Sequence, residues 1–528
     1  MTRTQNSFLN FATNLFSSAL VVLLSFITRS VFIRYLGTNY LGIEGLFTNI
    51  LYMLSLAELG FGSAIVYKLY RPIEIKDYHR IQVLLKLYRQ VYLVIGCVVV
   101  CIGLCLIPLL PKLVKDYDSL RPLGLNPVVI FLLYLFNTAS SYWFFAYKTA
   151  FVQANQKSYV LTVIGYVVTI ASSLCQILAL VLFKSFYIYL IVQISFSILR
   201  TLIWALVCDK RYPFVKEKTS DTISREERRE FRKDCSALFL YRISNVMIGG
   251  SDNIVISSFL GLRAVALYYN YTTVKNSIDT ILYSFLRSIQ ASLGSLYSTG
   301  NLEWSRLIFR VVNLFTVWLY GIGAIGVAVM LDEFITIWPG VGPDFVVTSW
   351  TANGVTVQTP LAILVGIELY VTGQKYYCGS FRNAMGLFQE LKYRPLFSVI
   401  VNLTFSLLLV PRIGIAGCAI STIIAAQFVN LIVDPLIIYR HALKQSPKQY
   451  FLRNLLYKLV IGVAGALSWY VCRMIPVPGI PGFVIRGMVC VILPSIVFSA
   501  CFFRTTEYRF LIRSVIDLLP SKKNETGD

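Results

Sequence analysis

Apolar stretches of about 20 residues, long enough to cross a hydrocarbon layer of roughly 30 Å as helices, alternate along the chain with short polar breaks. They fall at 11–33, 41–66, 90–110, 125–147, 159–183, 187–208, 236–259, 268–296, 307–330, 350–372, 395–410, 415–438, 455–475 and 483–503. The second and eighth are weak by hydropathy because they carry charges. No polar stretch is long enough to fold alone, so the pattern predicts an all-α polytopic membrane protein of about 14 transmembrane helices. The first stretch is too long for a cleavable signal peptide, and no small-residue cleavage site follows it.

Composition agrees with that pattern. Of 528 residues, 56% are hydrophobic and 14% charged, against about 25% charged in soluble proteins. The formal charge of +22 would suggest nucleic acid in a soluble protein. Its placement says otherwise. With the N-terminus in the cytoplasm, the cytoplasmic loops and both tails hold 34 of the 48 Lys and Arg, the opposite side 7, and the spans 7. That is a positive-inside pattern with both termini cytoplasmic, and no nucleic-acid partner is expected.

The spans divide into two lobes. Residues 209–235 hold nine basic and seven acidic residues and are read as a linker, with capping-box spacing at Ser224-Arg225-Glu226-Glu227. Tyr35-Leu36-Gly37 precedes Leu41-Gly42, and Phe259-Leu260-Gly261 precedes Val265-Ala266 at the same offset, 224 residues later. Both motifs leave one span and enter the next. The expected layout is an N-lobe of six helices (1–208), the linker, a C-lobe of six (236–438), and two further helices with a cytoplasmic tail (439–528). Two parallel repeats around a central cavity are a transporter design.

Candidate chemistry lies inside the membrane. A charge at the bilayer centre costs about 2.5–3.5 kcal/mol, so such residues face protein, water or a polar ligand. Polar stripes run along four spans. The first has Asn14 and Arg29, and the second Glu44 and Glu58. The seventh has Arg242, Asp252 and Asn253, and the eighth Lys275, Asp279 and Arg287. Lys275 and Asp279 stand four apart, the spacing of a helical ion pair. A wet, net-positive cavity bordered by these spans is expected, lined by Arg29, Arg242, Lys275 and Arg287, with Asn14 and Asn253. Glu44, Glu58, Asp252 and Asp279 either line it or neutralise neighbouring cations. Arg suits phosphate oxygens, so the cavity favours an anion. Arg200 and Arg473, near span ends, are read as snorkelling. Cys97, Cys101 and Cys105 share one helix face and are read as packing residues. With only His79 and His441 in the chain, no metal site is expected.

Three stretches carry a resemblance: Arg29-Ser30-Val31-Phe32-Ile33-Arg34-Tyr35-Leu36-Gly37 running into Tyr40 to Phe47; Leu54-Ser55-Leu56-Ala57-Glu58-Leu59-Gly60 running to Arg71-Pro72; and Pro411-Arg412-Ile413-Gly414-Ile415-Ala416-Gly417. Together they resemble the bacterial polysaccharide-transporter (Wzx-like) family of the multidrug/oligosaccharidyl-lipid/polysaccharide exporter superfamily. The resemblance implies two lobes alternating between inward- and outward-open states in the bacterial cytoplasmic membrane. It also implies flipping of undecaprenyl-diphosphate-linked oligosaccharides for surface polysaccharide synthesis, coupled to H⁺ or Na⁺. Glu44, Glu58 and Asp252 are then the candidates either to carry the ion or to pair with arginine, and a polysaccharide polymerase and glycosyltransferases are candidate partners. No other cofactor is implied. Lipid II flipping and multidrug/cation antiport on the same fold are the near alternatives. A membrane glycosyltransferase or polymerase is disfavoured: the longest external loops are about 14 and 19 residues, and no hydrolase, nucleotide or zinc motif is present.

Overall fold

The structure, a computed structural model, describes residues 3–54, 68–69, 72–113, 125–155, 158–216, 249–298, 302–338, 350–352, 355–357, 361–385 and 393–518, with a few single positions between. The N-terminal half is formed by α1 (Arg3–Leu36), α2 (Thr38–Leu54), α3 (Tyr78–Leu106), α4 (Pro127–Trp143), the short α5 (Ala146–Ala154), α6 (Ser158–Phe183) and α7 (Phe186–Arg211). The C-terminal half is formed by α8 (249–260), α9 (Leu262–Ser298), α10 (Leu302–Ile337), α11 (Leu361–Ala384), α12 (Arg394–Ile413) and α13 (Ala416–Leu443). Two more long helices follow, α14 (Lys448–Arg473) and α15 (Gly479–Phe502), then α16 (Thr506–Leu518). Among the described residues a helix overlaps each expected span, while 55–66 of the second and most of 236–248 of the seventh lie outside them. Among the described residues eight helices are long and apolar enough to cross a membrane, and α4 is a shorter apolar one. Those that fall short include α9 and α11, which carry the buried charges.

Local chemistry sets the helix ends. Asp77 caps α3 by accepting from the Arg80 amide at 2.9 Å. Asn126 caps α4, accepting from Val128 N at 3.0 Å, with Pro127 at the first helical position. In α13, Pro435 removes one backbone donor, and the helix widens into π turns at Ala425–Asn430 and Ile438–Leu443. The belt of large apolar side chains on the outside, Leu182, Val94, Leu459 and Ile496 among them, is more than half exposed. A contiguous apolar surface of that kind is solvated by lipid. Cys97, Cys101 and Cys105 belong to this outer face; they are exposed rather than packed.

The repeated motif is a repeated structure. α1 and α2 are joined by Gly37 alone, and α8 and α9 by Gly261 alone. Both glycines sit at positive φ, +92° and +89°, which a side chain would strain. Each amide closes the helix before it, Gly37 N to Ile33 O at 3.0 Å and Gly261 N to Ser257 O at 3.1 Å. The two elbows meet: a Cβ on Gly42 would overlap the carbonyl oxygen of Leu262. We call the elbow side distal and the side where α1 begins proximal.

One expectation is corrected, one is extended and one is met. The tenth span does not begin at residue 350. A two-stranded hairpin, β1 (Trp350–Ala352) and β2 (Val355–Val357), pairs Trp350 with Val357 and packs on α12, and α11 starts only at Leu361. Its β-branched residues look apolar enough for a span but are short of helical length. The tail is not plain: α16 docks on α10 and α14 through Glu507, with Arg453 Nη1 at 2.7 Å and Arg310 Nε at 3.1 Å. Burial alone would raise the Glu507 pKa, but its own backbone amide and the two arginines outweigh that and hold it below the usual range. In the linker the capping box is present. Glu227 N donates to Ser224 Oγ and Ser224 N to Glu227 Oε2, both at 3.1 Å, and Arg80 of α3 pairs with the same carboxylate.

Candidate functional site

The halves meet along a seam where α9 packs on α2 and α1. Aromatic contacts extend it distally: Phe26 of α1 lies edge-on to Trp338, centroids 4.9 Å apart, and Trp338 Nε1 donates to Ser30 Oγ at 2.7 Å. Ser257 of α8 donates to Leu113 O beyond α3 at 2.8 Å. Gly250 of α8 lies against Met53 of α2 nearer mid-depth. The distal ends of the two halves are thus closed on each other.

Arg29 crosses this seam. From α1 its Nε donates to Asn270 Oδ1 at 2.9 Å and its Nη1 to Thr273 Oγ1 at 3.0 Å, both on α9. The guanidinium lies 4.2 Å from the Tyr269 ring centre, a cation–π contact. Its Nη2 is buried without a hydrogen-bond partner. Among the described residues no carboxylate forms an ion pair with it. Glu44 of α2 takes a long contact from Tyr189 Oη of α7, 3.5 Å.

The other expected residues are distributed as follows. Lys275 does not pair with Asp279 on its own helix; it forms a buried ion pair with Glu368 of α11. Asp279 accepts instead from Tyr320 Oη at 3.0 Å and Tyr376 Oη at 3.1 Å. Asn253 is buried, 3% exposed, and donates to Gly45 O across the seam at 3.3 Å, so it joins the halves rather than lining open space. Asp252 is buried with Oδ2 accepting from Tyr268 Oη at 3.1 Å and Oδ1 unpartnered. Beside it, Cys418 Sγ lies 3.8 Å from the Asp252 carbonyl oxygen, Ser421 donates to Cys418 O at 2.8 Å, and Ser421 and Ser406 hydroxyls lie 2.6 Å apart. Asn402 donates to Thr422 at 3.1 Å and keeps a buried, unpartnered Oδ1. Arg242 and Glu58 lie outside the described residues, as do the side chains of Asn14 and Arg287.

Asn270 belongs to the polar stripe of the eighth span, and Glu368 and Asp434 to the intramembrane charges, that the sequence shows. Sequence reasoning missed Thr273 and Tyr269, ordinary residues whose role appears only when α1 lies on α9, and the arginines Arg382 and Arg394. Arg382 and Arg394 close on Asp434 at 3.4 and 3.2 Å, a buried charge cluster of the C-terminal half. A groove of about 610 Å³ opens between α10, α11, α13 and α14, lined by small and apolar residues such as Ala324, Ala328, Gly366, Ile423, Gly462 and Gly465. Lys458 and Gln427 border it, hydrogen-bonded at 2.9 Å. Among the described residues no cluster of three His, Cys, Asp or Glu forms a metal site.

Two helical halves joined by an arginine across a closed distal seam, followed by an extra helix pair, make a polytopic membrane protein. Residues 8–289 match the family model described as polysaccharide biosynthesis protein, more than half of the chain, and the chain belongs to that family. Solved structures agree in fold. The lipid II flippase MurJ in an inward closed conformation superposes with a TM-score of 0.62 at 15% identity, over 96% of this chain and 100% of that one. An inward-facing multidrug resistance MATE family transporter of the MOP superfamily gives 0.54 at 13% identity, over 78% and 92%. A MATE in the bent conformation gives 0.51 at 13%, over 82% and 94%. A sequence search among curated proteins finds no match. These related families are transporters rather than enzymes, and the chain is a multi-pass membrane flippase or transporter.

Proposed function

We propose that the protein flips undecaprenyl-diphosphate-linked oligosaccharide across the bacterial cytoplasmic membrane by alternating access, for surface polysaccharide synthesis. The observation that carries this reading is Arg29: a permanent cation at the seam, hydrogen-bonded only to neutral acceptors, with the Glu44 charge nearby and one buried N–H pair unused. A diphosphate offers Arg29 stronger, charge-assisted bonds than Asn270 and Thr273 do. Substrate therefore competes for the side chain that ties the two halves together, and favours the state in which they part. A ligand shifts a two-state equilibrium only by such a difference in affinity. The apolar groove between α10, α11, α13 and α14 suits the prenyl chain, which has no polar group to satisfy.

The basic loops put both termini in the cytoplasm, so the closed distal seam faces outward. Asp252 is the best-supported carboxylate for coupling to H⁺ or Na⁺. Its unpartnered Oδ1, the unpartnered Asn402 Oδ1 and the hydroxyls of Ser406, Ser421 and Thr422 supply oxygen donors of the kind a hard cation or proton needs. A polymerase and glycosyltransferases of the same route are the natural partners. Lipid II is the second substrate to test, because the likeness to its flippase extends over 96% of this chain. A cationic drug is disfavoured by Arg29.

Proteoliposomes loaded with a defined diphosphate-linked sugar, with lipid II in a parallel arm, test the reading. Wild-type protein is expected to move the oligosaccharide lipid and to respond to an imposed ion gradient. Arg29→Ala is expected to cut the rate by about 10- to 100-fold, the worth of one hydrogen-bonded charge, while the protein still inserts. Full transport by Arg29→Ala removes Arg29 from the site.

A further inference from the structure

A second polar cavity lies inside the N-terminal half. It measures about 340 Å³ and is bounded by α1, α4, α6 and α7. Its wall carries Asn137 from α4, Ser173 and Gln176 from α6, and Gln193, Ser197 and Arg200 from α7. Tyr189 also lines it, and the Tyr189 hydroxyl reaches Glu44 at 3.5 Å, so one ring connects this cavity to the seam.

Arg200 does not snorkel. It lies 11 residues from Arg211, where α7 ends, or about 16 Å along the axis at 1.5 Å per residue. It lies 14 residues from Phe186, where α7 begins, so it stands near the middle of the helix. Its guanidinium carbon is 5.3 Å from the Trp204 ring centre. Its Nε is buried with no acceptor, and Asn137 Oδ1 and Gln193 Oε1 are buried with no donor. Among the described residues no carboxylate forms an ion pair with it. A cation at this depth costs about 2.5–3.5 kcal/mol, and here no opposite charge offsets it.

The donor set narrows the ligand. A cavity for a cation would carry a carboxylate, and an apolar ligand would leave Arg200, Asn137 and Gln193 unpaired. A hydroxylated ring bearing an acid group satisfies all three. Its hydroxyls donate to the two amide oxygens, and its acid accepts from the guanidinium. The geometry points to a binding site in the N-terminal half for an acidic sugar, carrying a carboxylate or phosphate substituent, within the transported oligosaccharide. This rests on the flippase reading and adds to it the class of sugar and the half of the protein that holds it.

The test uses full-length protein in nanodiscs. Trp204 fluorescence, isolated by difference against Trp204→Phe, is followed on titration with glucuronate, glucose or inorganic phosphate. Glucuronate is expected to give a saturable signal with a Kd of about 1 mM or tighter. Arg200→Gln is expected to weaken it by about 10- to 100-fold, and Arg200→Lys to restore part of it. Glucose or inorganic phosphate binding as well as glucuronate makes the cavity a neutral-sugar or ion site and overturns the assignment. No saturable signal, or one unchanged in Arg200→Gln, overturns it equally. Transport of the oligosaccharide lipid by wild-type protein would in either case leave the flippase reading standing.

Discussion

In the C-terminal half, Arg382 and Arg394 close on Asp434, and Lys275 closes on Glu368; each of these three cations meets a carboxylate. At the seam, Arg29 meets an amide oxygen, a hydroxyl and a ring face. Arg200 meets less still. All these side chains cost much the same to bring out of water. The difference lies in what can replace their partners. A carboxylate locked against two arginines has no reason to exchange them, so the C-terminal cluster is a fixed joint. A neutral acceptor yields to a phosphate or a sugar acid, so Arg29 and Arg200 are places where a ligand gains.

The comparison breaks first, and hardest, at Asp434. Asp434→Ala leaves two arginines uncompensated and should cost about 3–5 kcal/mol, read as loss of folded protein from membranes or a large fall in Tm. A similar loss for Arg29→Ala would erase the distinction. Next comes the seam itself. Gly42→Val places a side chain against the Leu262 carbonyl, and should hold the distal ends apart and abolish transport while the protein still inserts. Spectroscopic distances between labels on the two elbows check it; unchanged distances refute it. A sharper case is Lys275. Lys275→Met alone strands Glu368 and should destabilise by about 3–5 kcal/mol, whereas Lys275→Met with Glu368→Met should come within about 1 kcal/mol of wild type, the behaviour of a structural pair. If the double variant is stable but cannot transport, Lys275 belongs with Arg29 instead. The smallest effect is at α16. The Glu507 pKa is depressed in the folded protein, so its contribution is complete above the usual Glu value of about 4.3 and is lost as pH falls through the lower folded value. Proteolysis of α16 should rise only in that acid range, and at neutral pH in Glu507→Gln.

Much of this was legible in the residues. Long apolar runs fix where a helix crosses lipid regardless of its neighbours, so the spans and their alternation could be read directly. The capping box at Ser224 was equally plain, because it depends on residues next to one another in the chain; the repeat at Gly37 and Gly261 showed only as a faint match, with breaks of seven and eight residues where the structure has single glycines. What could not be read depends on distant parts meeting. Lys275 had Asp279 one turn away, yet takes Glu368 on another helix. Asn253 looked like a cavity amide until α8 was seen against Gly45. Arg200 looked like a span-end cation although it already stood eight residues inside the expected span end; the cavity it faces appears only when α1, α4 and α6 close on α7. The 350–357 hairpin was taken for membrane because hydropathy does not distinguish a β-branched ribbon from a helical turn.

The single-residue elbows also constrain how this machine moves. With one glycine between α1 and α2, and one between α8 and α9, neither pair has slack to bend independently. Each pair behaves as a stiff bracket, so unlatching the outer mouth requires both bundles to rock as bodies, and lengthening either elbow by a few residues should uncouple the stroke.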